Sequence, residues 1–322
     1  MRKKYSVSVV IPSYNGQEKL PDLIKSLHRQ TYPTSKTQII IVLDGSTDNT
    51  HSIIKKYLTK WQNLNVKILH KKNEGPAKTR QLGWKSAEAP IVLFTDDDCI
   101  LDENWIYAYM DKFEHYDIDL AGGYSTSSTR QKRKWIIKYI ETLKDHRGKE
   151  FKIGGAELKC YATLNMGYRK RTLEKIGGFD TSLFDDDYKV MIKATKQGFK
   201  VGYIPDAIVY HKQRDSITKY IKLDCIRRGK NLIDLGTSYF YAIPHTVLAA
   251  VLLTLLLFMY NWKIGLIAFL LEYLFFNFIM NKNEIYRFLS INNKVLGISF
   301  LLFYYLVENP FKIYGILYYG TK

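Results

Sequence analysis

Cysteine is scarce. Three residues, Cys99, Cys160 and Cys225, odd in number and widely spaced, supply neither a disulfide framework nor a zinc site. No internal repeat and no low-complexity linker interrupts the 322 residues, which excludes a solenoid. Charge is absent from one long stretch. Between Leu235 and Trp262 there is no Asp, Glu, Lys or Arg, and the run from Val247 to Met259 is nearly pure hydrocarbon. About 20 such residues cross a bilayer. No apolar signal segment precedes Tyr5, so the globular part is expected to stay on the cytoplasmic side, with the basic cluster Arg227, Arg228 and Lys230 just before the first crossing.

What is present divides the chain in two. A content of 46% hydrophobic and 25% charged residues describes a folded protein, and the length admits two ordinary domains. A globular domain is expected over 1–230 and a membrane region over 231–322. Crossings are expected at about 239–260 and 263–281, turning at Tyr260-Asn261-Trp262-Lys263. A third segment, 295–319, either crosses at a tilt or lies in the interface. A buried helical subdomain is the alternative to membrane insertion, less suited to two long apolar runs joined by so short a polar turn.

The net charge is +17, and only six basic and three acidic residues follow Ser238, so +14 belongs to the first 237 residues. Arg130, Lys132, Arg133, Lys134 and Lys138 interleave with Trp135, Ile136, Ile137, Tyr139 and Ile140. That is either an amphipathic segment on anionic lipid or a solvated helix face. Membrane explains the basic excess more simply than nucleic acid, which is not expected as a partner.

The globular part alternates strands with helices. Val7 to Ile11, ended by Pro12, precedes a helical spacing of Leu20, Leu23, Ile24 and Leu27 within 17–30. Ile39 to Leu43 precedes a helix at 53–58, Val66 to Leu69 a helix at 77–86, and Ile91 to Phe94 follows. These βα units predict an α/β fold with a mostly parallel central sheet and its loops gathered at one edge. At the end of the fourth strand stand Asp96, Asp97 and Asp98. Three like charges there suit a hard divalent cation held by oxygen, or else form a solvated loop before a helix capped near Asp102.

Val9-Val10-Ile11-Pro12-Ser13-Tyr14-Asn15, then Asp44-Gly45-Ser46-Thr47-Asp48, then Asp96-x-Asp98 have the order and spacing found in glycosyltransferase family 2. Gly177-Gly178-Phe179-Asp180, Asp186-Asp187, Gly198-Phe199-Lys200 and the segment from Ile204 to His211 continue the resemblance over about 6–230. It implies the GT-A nucleotide-diphospho-sugar transferase fold, a C-terminal transmembrane helical region and inverting transfer from a nucleotide-sugar donor. Pro12, Ser13, Tyr14, Asp44, Arg80, Asp96 and Asp97 would contact the donor. Asp98 and His211 would hold Mn or Mg. Gly177, Gly178 and Asp186 would shape the acceptor side, and Asp187 would be the catalytic base.

Each position also has a plainer reading: Asp44 as an Asx turn, His211 as a polar strand end, Asp185 to Asp187 as helix capping. Lys189 stands where many relatives carry a second acid. The expected activity is transfer of a sugar, UDP-linked, to a hydroxyl of a lipid-linked or cell-surface glycan acceptor by a multi-pass protein of the cell membrane. A polyprenyl-phosphate sugar synthase is an alternative, although an ionised phosphate needs no base. A processive polysaccharide synthase is another, and its Gln-x-x-Arg-Trp element is met here only by Asp224-Cys225-Ile226-Arg227-Arg228. An inactive membrane scaffold of the same fold is the last. Sugar, acceptor and oligomeric state are not encoded in these motifs.

Overall fold

The computed structural model describes residues 5–127, 135–144, 150–154, 162–179 and 186–212, together with 216, 259–264 and 267. The chain forms two compact units, Met1–Gln131 with Arg147–Gln213, and Lys132–His146 with Arg214–Lys322. Nearly all described residues belong to the first. The expected crossings 239–260, 263–281 and 295–319 lie outside the described residues except at 259–264 and 267. Among the described residues no helix is long and apolar enough to cross a membrane.

The first unit opens with β1 (Val7–Ser13), α1 (Leu20–His28), β2 (Thr37–Asp44), α2 (Thr50–Lys60), β3 (Val66–Lys71), α3 (Pro76–Lys85) and β4 (Ile91–Phe94). Then come β5 (Cys99–Leu101), α4 (Trp105–His115) and β6 (Leu120–Ser127). After α5 (Trp135–Lys144), which belongs to the second unit, follow β7 (Lys152–Gly154), β8 (Met166–Arg169), α6 (Lys170–Ile176), α7 (Asp186–Lys196) and β9 (Val201–His211).

The sheet runs β3-β2-β1-β4-β8-β6-β9-β5, with β7 also on β9. Strands β3, β2, β1 and β4 are mutually parallel, as expected from the βα units. The rest corrects the expectation of a mostly parallel sheet. Strand β8 enters antiparallel between β4 and β6, β9 is parallel to β6, and β5 and β7 are antiparallel to β9. A short 3-10 turn, Thr163–Asn165, leads directly into β8.

Both faces of β1, β2 and β4 are covered, which is why those strands are largely apolar runs, while β3 is the partly exposed edge. Val7, Val9 and Ile11 pack with Leu20, Leu23, Ile24 and Leu27 of α1, while Val10 packs under Trp84 of α3. Each of the four α1 side chains is buried, contributing about 1.5–3 kcal/mol apiece. Pro12 does not end β1, which pairs with β2 to Ser13. Pairing with β4 stops at Val10, so the missing N–H of Pro12 breaks no ladder on that side.

The register of β6 on β9 breaks between Gly123 and Tyr124, whose partners jump from Ile204 to Ile208. Asn165 fills the break. Its amide nitrogen donates to the carbonyls of Tyr124 (2.9 Å) and Ala207 (2.8 Å), and its oxygen accepts from Trp105 Nε1 (2.8 Å) and Tyr109 Oη (2.9 Å). A Cβ at Gly123 would lie 2.6 Å from the Asn165 amide nitrogen, so the backbone approach there needs glycine. Asn165→Leu would leave several of these groups buried and unsatisfied, at about 1–3 kcal/mol each. The melting midpoint should fall by roughly 10 °C, read by circular dichroism on the full chain; an unchanged midpoint would show the bulge to be held elsewhere.

Candidate active site

The loops following β1, β2, β3 and β4 meet at the carboxyl edge of the parallel strands. Two of them are tied together. Asn15, held at φ 48, accepts from the Thr47 amide at 2.9 Å and donates its own amide to Ser46 Oγ at 3.1 Å. The Gly16 amide donates to Thr50 Oγ1 at 2.8 Å, and the Gln17 amide to Asp48 at 3.2 Å. Desolvation pushes Asp48 toward the protonated form, but hydrogen bonds from Thr50 and the Gln17 amide outweigh it and hold its pKa below the usual carboxylate value.

Asp44, the last residue of β2, is buried and engaged. It accepts from Lys71 Nζ at 2.6 Å and from the amides of Glu74 (3.0 Å) and Gly75 (2.9 Å). Gly75 sits at φ 92 at the head of α3, so Asp44 fixes the loop that launches the helix carrying Arg80. A carboxylate has room for about four acceptor contacts, which leaves Asp44 capacity for a further donor from the cleft.

The three consecutive carboxylates divide among three partners from three elements. Asp96 accepts from the Arg80 guanidinium of α3 at 2.8 Å. Asp97 turns inward, accepting from Ser13 Oγ at 2.8 Å, with Lys19 Nζ at 3.4 Å. Asp98 faces His211, whose Nε2 lies 3.2 Å from its Oδ1. Strand pairing produces that last contact, because Cys99 of β5 stands opposite His211 of β9 and brings two residues distant in sequence side by side.

Electrostatics follow the division. Burial, with Asp96 and Asp98 adding, pushes Asp97 above the ordinary carboxylate value, although Lys19 and Ser13 pull the other way. Burial acts on Asp98 too, but the hydrogen bond and charge of His211, then Lys19, outweigh it and hold Asp98 low. Burial first, then Asp96 and Asp98, push the Cys99 thiol well up.

Asp98, Cys99 and His211 form a metal-capable group among the described residues, their ligand atoms within 4.8 Å of one another. Adjacent ligands on an octahedral ion, each at about 2.1 Å, stand about 3 Å apart, close to the Asp98–His211 separation. Carboxylate and imidazole suit a divalent cation, whereas a thiol kept protonated by burial does not suit a hard one.

Pro12, Ser13, Tyr14, Asp44, Arg80, Asp96, Asp97 and Asp98 line one open cleft of about 340 Å³, joined by Lys19, Pro76 and Thr79. The sequence reading therefore assembled a real cleft but missed Lys19, which carries no motif signal, and Lys71. It also missed Gln81. That side chain accepts from Trp84 Nε1 at 2.7 Å and from the Phe179 amide at 2.9 Å, and donates to the Gly177 carbonyl at 3.1 Å. Gln81 thus ties the Gly177-Gly178 turn to α3.

Both glycines have positive φ, 77 and 68. A Cβ at Gly177 meets nothing, while one at Gly178 would stand 2.5 Å from Trp84 Nε1 and closer still to Gln81 Oε1. Gly177→Ala should cost about 1–2 kcal/mol for backbone conformation alone, and Gly178→Ala clearly more. Parallel denaturant titrations check this, and equal losses would mean the turn is not held against Gln81. Asp186 and Asp187 open α7; their side chains, and Asp180 and Asp185, lie outside the described residues.

The family model for glycosyl transferase family 2 matches residues 8–177, more than half of the chain. The chain belongs to glycosyl transferase family 2. The matched span contains every cleft residue named above, and His211 lies beyond it. Among curated relatives, the glycosyltransferase AglE of Haloferax volcanii is 26% identical over 209 residues, 65% of this chain and 67% of that protein. The poly(ribitol-phosphate) beta-N-acetylglucosaminyltransferase TarS of Staphylococcus aureus is 35% identical over 114 residues, 34% of this chain but only 20% of its own length.

The family and these relatives bear out the expected enzyme class, a glycosyltransferase. Solved structures share the fold. TarS 1–349 in complex with UDP-GlcNAc matches with TM-score 0.51 at 21% identity, covering 66% of this chain and 59% of that one. The mannosyltransferase PcManGT of Pyrobaculum calidifontis, in complex with GDP-Man and Mn2+, matches with TM-score 0.60 at 16% identity, covering 98% and 86%. The GT-A fold expected from the motifs is thus the observed one, with a mixed sheet.

Proposed function

We propose that this protein is a membrane-anchored, inverting glycosyltransferase that moves a sugar from a UDP-sugar to a hydroxyl of a lipid-linked or cell-surface glycan, with its catalytic unit on the cytoplasmic side. The observation that carries the reading is the three-way division of Asp96, Asp97 and Asp98. It leaves one carboxylate, Asp98, paired with an imidazole beside a cleft of nucleotide size. UDP is favoured over other nucleotides because TarS is 35% identical over the matched 114 residues and TarS 1–349 is in complex with UDP-GlcNAc.

Within the cleft, half-exposed Tyr14 offers a face to the base, and Asp44 and Asp96 offer carboxylates to the ribose. Charge growing on the departing diphosphate would be neutralised by a Mn or Mg ion held by Asp98 and His211. Arg80 and Lys19 place two further positive charges on the same wall. Asp187 takes the acceptor proton as the new bond forms. Support for the anchor comes from the uncharged stretch between Leu235 and Trp262 and from Met259, Tyr260, Trp262 and Ile267, all strongly exposed.

The test is nucleotide release from a panel of UDP- and GDP-sugars by the detergent-solubilised chain, with manganese or with chelator, and with polyprenyl phosphate or glycosylated lipid as acceptor. One UDP-sugar should be consumed only with metal and a hydroxyl acceptor. Consumption with polyprenyl phosphate alone would move the reading to a polyprenyl-phosphate sugar synthase, and no release from any donor would end it.

A further inference from the structure

From Asn49 to Asn73 the chain has six lysines, two histidines and no carboxylate. The fold gathers these on one edge. Strand β3 ends the sheet, and α2 precedes it in the chain. On α2 the exposed stripe is Ser52, Lys55, Lys56, Thr59 and Lys60, at helical spacing, while Ile54 is buried. On and just after β3, His70 and Lys72 are exposed on the side that α2 covers, while Lys67, in register with Ile40, projects from the other sheet face. The His51 and His70 rings meet edge-on at 4.9 Å, joining helix and strand into one face.

The flanking acids are already committed. Glu74 pairs with Lys71 and Lys78, and Asp48 is held by Thr50 and the Gln17 amide. Among the described residues Lys55, Lys56, Lys60, Lys67 and Lys72 have no carboxylate within 4.0 Å. Desolvation, then Lys55 and His70, hold the His51 pKa below the ordinary value, as expected where positive groups crowd. Lysine on an edge strand protects against unwanted strand pairing, which accounts for Lys67 but not for three lysines on the helix.

We infer that the α2–β3 edge is a docking face for an anionic lipid bilayer. Three observations favour a bilayer over a soluble polyanion. The face lines none of the described clefts, so it suits a planar partner better than a threaded chain. Trp61, just past α2, stacks on His28 and lies under Lys60 at 5.6 Å, placing a partly exposed indole beside the lysines as at a headgroup layer. The same chain also carries a bilayer-length uncharged stretch. The exposed lysines of this edge do not line the cleft, and the inference does not depend on which sugar is moved.

The test is lysine acylation followed by mass spectrometry on the full chain, in bilayers of phosphatidylcholine with and without phosphatidylglycerol. Labelling of Lys55, Lys56, Lys60 and Lys72 should slow by roughly threefold or more with the anionic lipid and recover as salt shortens the Debye length to about 3 Å. Exposed Lys85 and Lys196, on helices packed against the opposite sheet face, should not change. The double variant K56E/K60E should abolish protection of the remaining Lys55 and Lys72. Equal labelling in both bilayers, or slowing spread evenly over the reference lysines, overturns the inference. So does protection by soluble polyphosphate without protection by lipid. None of these readouts uses a sugar donor, so failure here is separable from failure of the glycosyltransferase reading.

Discussion

Asp98→Asn should weaken binding of manganese, and of UDP in its presence, by about 100-fold or more, whereas Asp97→Asn should leave manganese affinity within roughly threefold. The two positions are adjacent, and neither sequence nor formal charge separates them. Geometry does. Asp98 shares its oxygen with the His211 imidazole at 3.2 Å, while Asp97 is spent on Ser13 at 2.8 Å and Lys19 at 3.4 Å. In Asp97→Asn the amide would confront the Lys19 ammonium or the Ser13 hydroxyl with a donor, and the loop after β1 would lose its anchor. That variant should therefore melt lower and bind nucleotide more weakly without a specific metal defect. Calorimetry with and without manganese on both variants decides the matter. Equal metal loss in both would mean the acidic strand tip acts as one diffuse anion, and the division drawn here would be wrong. His211→Ala should follow Asp98→Asn, because an ion that bridges two residues loses its geometry when either is removed.

Much of the donor half was legible because β1, β2 and β4 are buried on both faces. Ile91 to Phe94 has no polar residue to blur its limits, and β4 has those same bounds. The βα units before it followed for the same reason, with ends shifted by a few residues. The antiparallel half was not legible. Strand β6 contains Gly122, Gly123 and Ser125, poor strand formers held extended by β8, β9 and the Asn165 side chain. Strand β5 has three residues and takes strand form from its pairing with the end of β9.

The same limit applied to the site. The cluster of Asp96, Asp97 and Asp98 was conspicuous, but its division rests on Lys19 and Arg80, which arrive from separate helices and share no periodicity with it. His211 was reached through resemblance; on its own a histidine at a strand end says little. What turns it into a ligand candidate is a cross-strand register that only the fold specifies.

Asp187→Asn should lower turnover by about 10²–10⁴-fold while leaving manganese and UDP affinity within roughly threefold, the loss typical of a missing general base. Asp187 is the second residue of α7, in the first turn, where the helix dipole favours an ionised carboxylate at neutral pH. Asp186→Asn, one residue nearer the helix start, should cost far less if only Asp187 faces the acceptor. A base that must be ionised gives the pH–rate profile an acid limb, which should vanish in Asp187→Asn. The acceptor class enters here with a definite sign. A hydroxyl must lose its proton as it attacks, so removing the base is costly. A phosphate monoester is already ionised near pH 7 and would lose little. Near-normal turnover in Asp187→Asn, with donor binding intact, would therefore remove Asp187 as base and shift the acceptor from a hydroxyl to a phosphate.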